Sequence, residues 1–202
     1  MASKTLYLIR HAQPDYPNGE KMCLGQKNDL PLSEHGFSQA RQLGAFFKEI
    51  PLEAVYTSPL LRARQTAAPI AGEARPLLVL DALIELYGGE WDGMPFSVLR
   101  ERYPGYSRRG SAFSTPPGGE TDESGLASAL SALAIADGQT QRCAALVAHG
   151  GINRLLLCHL LGRPLSDKRQ LSQDHAAVSI LEKTNGVWRV QGIDILGQND
   201  MR

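Results

Sequence analysis

Apolar and polar positions fall into blocks whose period changes along the chain. Thr5–Ile9 is apolar on both faces and predicts a central strand of a covered sheet. In LSEHGFSQARQLGAFFKEI, Phe37, Ala40, Leu43, Gly44 and Phe47 share one face of a helix, with Ser33 as its N-cap. Pro51 punctuates, EAVYT reads as a short strand, and SPLLRARQTAAPIAG as a helix capped by Ser58 with Pro59 at its first position. LLVLD is a third apolar run. TDESGLASALSALAIA returns to helical spacing through Leu126, Ala129, Leu130 and Leu133. RCAALVAH is a strand, and GGINRLLLCHLLG a helix stopped by Gly162 and Pro164. The chain closes on AVSILEKT, Asn185-Gly186 and VWRVQGI, a strong hairpin signal.

Strands alternating with helices imply an α/β fold, with a mostly parallel central sheet covered by helices on both faces and a C-terminal β-hairpin. One domain is expected over residues 1–202. Residues 87–120 are richer in Gly, Pro, Ser, Arg and aromatics, and are expected to form a small cap insertion. Its Arg100, Arg102, Arg108 and Arg109 are either a solvated surface or a guard for an anionic substrate. Trp91, Tyr103, Tyr106 and Phe113 either stack on a ring or make the insertion's own small core.

Composition removes several classes of function. A chain of 202 residues with formal net charge +0 has no global field to recruit nucleic acid or an anionic membrane, so neither is expected as a partner. Cys23, Cys143 and Cys158 are scattered, which suits a reducing compartment. The apolar run before Arg10 is too short for a signal peptide, and Leu155–Gly162 is far short of a bilayer span. A cytoplasmic location is expected. No H-x-x-x-H pair, P-loop, G-x-S-x-G elbow or dinucleotide fingerprint occurs, so no metal and no cofactor is expected. His35 reads as solvated or capping, His159 as core-edge, and His175 as part of the loop before the hairpin.

Two strands end on chemistry. LYLIRHAQ delivers Arg10 and His11, and AALVAHGG delivers His149, each at a strand's carboxyl end, where open parallel sheets bind ligands. SPLLRARQTA follows a third strand, so its helix N-terminus and Arg62 face the same edge. Two guanidinium forks and two imidazoles can hold a phosphoryl group without a metal.

Those stretches, with LIELYGGEWDG, occur in the order and rough spacing of the histidine phosphatase (phosphoglycerate-mutase-like) superfamily, which the chain resembles from Leu8 to Gly151. The pattern is most similar to the small phosphatases that include α-ribazole phosphatase. The resemblance implies a metal-independent phosphomonoester hydrolase acting on a small phosphorylated metabolite. His11 is then the nucleophile that becomes phosphohistidine. Arg10, Arg62 and His149 bind the phosphate, and Glu85 is the proton donor, with Glu90 and Asp92 as possible substitutes. Many members read Arg-His-Gly-Glu-Thr after the first strand. Here Ala12, Gln13 and Pro14 follow, so Gln13 is expected to offer an amide to the phosphate or to water, and Asn18 lies one position out of register. A mutase and a phosphoester-binding protein without turnover are the alternatives.

Overall fold

The computed structural model describes residues 3–103 and 115–196. Six strands form one sheet: β1 (Lys4–Arg10), β2 (Ala54–Thr57), β3 (Leu77–Val79), β4 (Cys143–Ala148), β5 (Val178–Thr184) and β6 (Val187–Gly192), in the spatial order β3-β2-β4-β1-β5-β6. The first four run parallel, and β5 and β6 are antiparallel additions beside β1. Asn185 and Gly186 join the last two with φ of 52° and 81°, the positive values that a two-residue type I′ turn needs.

Alternation along the central strands sends side chains to both faces. Leu6, Leu8, Tyr56 and Leu146 pack beneath α4 (Asp122–Gln139) and α5 (Gly150–Leu160). Ile9, Val55, Ala145 and Val147 pack beneath α1 (Glu34–Phe46) and α2 (Leu61–Ala71). β4 is buried at every position, as a strand covered on both faces must be. β3 and β6 are the two edge strands, and the three residues of β3 are exposed.

The helix boundaries and stripes differ in detail from the sequence pattern. Ser33 caps α1 as expected, accepting the Gly36 N–H at 3.0 Å. The buried stripe runs through Gly36, Gln39, Ala40, Leu43 and Phe47, whereas Phe37 is 39% exposed. Gly36 abuts the loop after β1, and a Cβ there would stand 2.1 Å from the Gln13 carbonyl oxygen. α2 begins at Leu61, not at Pro59 behind a Ser58 cap. Its first amide N–H is taken by a distant side chain, Asp29, at 2.7 and 2.9 Å from the two carboxylate oxygens. The amide end of α2 is therefore already occupied by an anion from within the chain. α4 buries small residues, Gly125, Ala129, Ala132 and Ala136, together with Leu133, leaving Leu126 and Leu130 partly buried at the margin.

The segment from Tyr87 carries a 3-10 turn at Gly89–Trp91 and α3 (Phe96–Arg102). Arg100 and Arg102 are exposed, and Trp91 packs edge-on against Tyr103 at 5.5 Å. Tyr106, Arg108, Arg109 and Phe113 lie outside the described residues. His35 is exposed, and so is His159, which faces solvent on the last turn of α5 instead of the core edge. Among the described residues no helix is long and apolar enough to cross a membrane.

Candidate active site

Strand register builds the centre. Arg10 of β1 pairs with Ala148 of β4, and Thr57 of β2 pairs with Val147. The residues that follow, His11, His149 and Ser58, therefore emerge side by side at the carboxyl edge. The ladder continues one step past the strands: the His11 N–H donates to Ala148 O at 2.9 Å, and the Ser58 N–H to Val147 O at 3.0 Å. The two imidazoles stand 5.1 Å apart, centroid to centroid, and tilted by 55°.

His11 is 4% exposed. Its Nδ1 lies 2.8 Å from Ala12 O. A carbonyl only accepts, so Nδ1 carries the proton and Nε2 keeps its lone pair. Burial, then His149, Arg10 and Arg62, pushes the imidazole's pKa well below its ordinary value, which keeps the ring neutral. His149 is completely buried and is pushed the same way by burial and by Arg62 and Arg10. Its Nε2 sits 2.7 Å from Ser58 Oγ.

The two arginines are held by backbone carbonyls. Arg10 donates through Nη1 to Gln173 O. Arg62 is fully buried, donating to Gly25 O at 2.9 Å and Asn28 O at 3.3 Å, with the Asp29 carboxylate 3.8 Å away. Burial lowers the pKa of both guanidinium groups. The loop that supplies the Arg62 carbonyls is itself clamped by Asp92, which accepts the N–H groups of Gly25, Gln26 and Lys27 at 3.0, 2.8 and 2.8 Å.

Three nitrogens in this cluster, Arg10 Nε, Arg62 Nε and His149 Nδ1, are buried without a hydrogen-bond partner among the described residues. Leaving such groups unmade costs about 1–3 kcal/mol each, more when charged. Two of them can only donate, so the cluster suits an acceptor-rich anion.

Glu85 faces them from the loop after β3. Its Oε1 accepts the N–H of Leu86 at 2.9 Å and of Ile152 at 3.1 Å, and its Oε2 accepts the N–H of Gly151 at 2.9 Å. The carboxylate thus caps α5, where helix amides favour negative charge. Gly151 permits the approach: a Cβ there would lie 2.4 Å from Glu85 Oε1. Neither Glu90 nor Asp92 lines the cavity. Glu90 takes the Tyr103 hydroxyl at 2.9 Å, and Asp92 is the loop clamp.

A cavity of about 240 Å³ opens over Arg10, His11 and Glu85. Tyr16, Met22, Leu24, Tyr87, Phe96 and Pro116 supply much of its wall, so residues of the expected cap face the centre. An ion pair between Lys168 and Asp122 lines it as well. Gln13 does not line it. Its N–H donates to Gln39 Oε1 at 2.9 Å, and its carbonyl accepts the Ser33 N–H at 3.0 Å, which ties the loop after β1 to α1 and its N-cap.

Two residues of the centre escaped the sequence pattern. The His175 ring lies 5.3 Å from that of His11 and tilted by 47°, with Nε2 3.3 Å from the Tyr16 hydroxyl, and burial followed by Arg10 pushes its pKa down to about 2. Arg154 donates to Leu171 O, Gly150 O and Gln173 O, and burial lowers its pKa to about 10. A usable signal existed for His175. β5 runs antiparallel to β1, with Val178 opposite Ile9, so the residues just before β5 lie at the carboxyl edge of β1.

Residues 6–195 match the family model of the histidine phosphatase superfamily, branch 1. Over 135 residues the chain is 36% identical to the fructose-2,6-bisphosphatase TIGAR of Xenopus tropicalis, covering 61% of this chain but only 46% of that protein. The chain thus spans about half the length of that relative. A mycobacterial glucosyl-3-phosphoglycerate phosphatase has the same fold with a TM-score of 0.84 at 26% identity, covering 95% of this chain and 99% of that one. The α-ribazole phosphatase of Shigella flexneri shares the fold at a TM-score of 0.80 and 21% identity, covering 94% and 96%. With the family model matching almost end to end, the chain belongs to branch 1 of the histidine phosphatase superfamily.

Proposed function

We propose that this phosphatase of the histidine phosphatase superfamily is a metal-independent phosphomonoester hydrolase that works through phosphohistidine at His11. The observation that carries the reading is the neutral His11, with Nε2 free, standing beside three unpartnered buried nitrogens. Arg10, Arg62 and His149 hold the phosphoryl oxygens. The His11 Nε2 lone pair forms a bond to phosphorus while the ester P–O bond breaks. The leaving oxygen takes a proton from Glu85. Oε1 already accepts two N–H groups and Oε2 one, so the open position for that proton is on Oε2. Water then attacks phosphorus, its proton returns to Glu85, the N–P bond breaks and phosphate leaves. A well-placed acid and base of this kind contributes about 10²–10⁴ in rate.

The substrate is a small phosphorylated metabolite. A cavity of about 240 Å³ is smaller than the roughly 300–1,000 Å³ of drug-sized sites. The names of two phosphatases that the chain resembles at 36% and 26% identity, for fructose-2,6-bisphosphate and glucosyl-3-phosphoglycerate, describe substrates of that class and support the reading.

The test is phosphate release from p-nitrophenyl phosphate in excess chelator, by the parent chain and by His11→Ala, with acid-labile phosphoryl label on the protein trapped alongside. Turnover that survives chelator, vanishes in His11→Ala and accompanies the label is the expected result. Full activity in His11→Ala, or activity lost to chelator, overturns it. A labelled enzyme that releases no phosphate to water is a transferase instead.

A further inference from the structure

Ser58 and His149 are both fully buried behind the residues that line the cavity, and Ser58 Oγ lies 2.7 Å from His149 Nε2. A serine hydroxyl has one proton and two acceptor positions. The Leu60 N–H donates to Ser58 Oγ at 3.3 Å and claims one acceptor position. If His149 donated from Nε2, the proton of the fully buried Ser58 hydroxyl would be left without an acceptor among the described residues. If Ser58 donates to Nε2 instead, every group is used. The neutral ring then carries its proton at Nδ1.

The surroundings of Nδ1 ask for the same arrangement. This atom is buried and has no hydrogen-bond partner among the described residues, as is true of the Nε atoms of Arg10 and Arg62. Those arginine atoms can only donate. A lone pair on Nδ1 would repel the anion that they attract, whereas an Nδ1–H adds a donor. Register explains why Ser58 is available, because Thr57 and Val147 are partners and the next residue of each strand is Ser58 or a neighbour of His149.

We infer that Ser58 is a positioning residue that fixes His149 as the Nδ1–H tautomer, so that His149 offers a donor to a phosphoryl oxygen. The inference rests on the hydrolase reading above for the identity of that oxygen, but not for the tautomer itself.

The tautomer is read directly from ¹⁵N ring shifts of histidine-labelled protein, assigned with His149→Gln, with inorganic vanadate as the anion probe. The expected spectrum of the parent chain has a protonated Nδ1 and a bare Nε2 at His149, with the Nδ1–H signal moving on vanadate addition. Ser58→Ala is expected to mix the tautomers and to lower kcat/KM for p-nitrophenyl phosphate by about 10–100-fold, against about 10²–10³ for losing an oxyanion donor outright. Ser58→Thr keeps the hydroxyl and restores the parent tautomer. A proton on Nε2 in the parent, or a tautomer and turnover unchanged in Ser58→Ala, overturns the inference. A parent chain that shows Nδ1–H but no turnover and no phosphohistidine overturns the hydrolase reading and leaves the tautomer standing.

Discussion

The rings of His11 and His149 stand 5.1 Å apart because Arg10 and Ala148 are register partners in adjacent parallel strands. Neither histidine reaches the other through its own loop. A slip of one residue between β1 and β4 would turn every side chain of one strand to the opposite face, so the burial of Leu8 on one side and Ile9 on the other locks the pair in place.

Gly151→Ala puts a Cβ 2.4 Å from Glu85 Oε1, and backbone on one side leaves the carboxylate to move. We expect kcat to fall by about 10²-fold, the lower end of what a general acid contributes, while far-UV circular dichroism is unchanged. Steady-state kinetics on p-nitrophenyl phosphate check this. Parent-like turnover would show that the approach of Glu85 to α5 is dispensable.

Asp92→Ala removes the acceptor for three consecutive amides of the loop that holds Arg62. Expected losses are about 1.5–3 kcal/mol of stability and about tenfold in competitive inhibition by inorganic phosphate, a tenfold change being about 1.4 kcal/mol. Asp92→Asn, which keeps one oxygen, falls between. Urea unfolding and inhibition constants measured on the same preparations separate the two effects.

Acid should weaken the fold. His11 and His149 are held well below their ordinary pKa, and His175 is at about 2, whereas the unfolded chain takes up these protons near 6.5. Below about pH 6.5 the unfolded state therefore binds more protons than the folded one. Stability falls there by about 1.4 kcal/mol per pH unit for each such histidine, and is indifferent to them above. Urea midpoints between about pH 7.5 and about pH 5 measure the slope, which His175→Gln should make shallower by one group's share.

Arg75 sits away from the cavity and gathers four carbonyls, those of Ile70, Phe47, Lys48 and Ile50, at 2.8 to 3.0 Å. Arg75→Ala should cost about 1.5–3 kcal/mol and lower Tm by about 2–4 °C for each kcal/mol. Turnover at a temperature where the variant is folded should equal that of the parent chain. A calorimetric scan beside an initial-rate assay checks both.

The α/β class, the central place of β1 and the placing of Arg10, His11, Arg62 and His149 at one sheet edge were legible in the sequence, whereas Glu85 was reached only through the family resemblance. Each of those residues lies within or next to an apolar run whose end marks the functional edge. What stayed hidden has a common physical cause. Asp29 caps α2, Asp92 clamps residues 25–27, and Arg154 pins the loop before β5, all by hydrogen bonds between segments remote in sequence. Such contacts leave no period and no local signature. The early start assigned to α2 failed for this reason, since Ser58 and Pro59 look like a helix start only while Asp29 is out of view.

β1 lies between β4 and β5, two strands far removed from it in sequence. Loop closure over so long a stretch comes late in folding, because its entropy must be met before the contacts reward it. His11 has no partner imidazole and no covering loop until β4 and the Gln173 segment have joined β1. A chain in which β4 has not yet joined β1 therefore holds His11 without the groups that surround it, and the pairing of the two imidazoles on refolding reports the last strand insertion and not the first collapse.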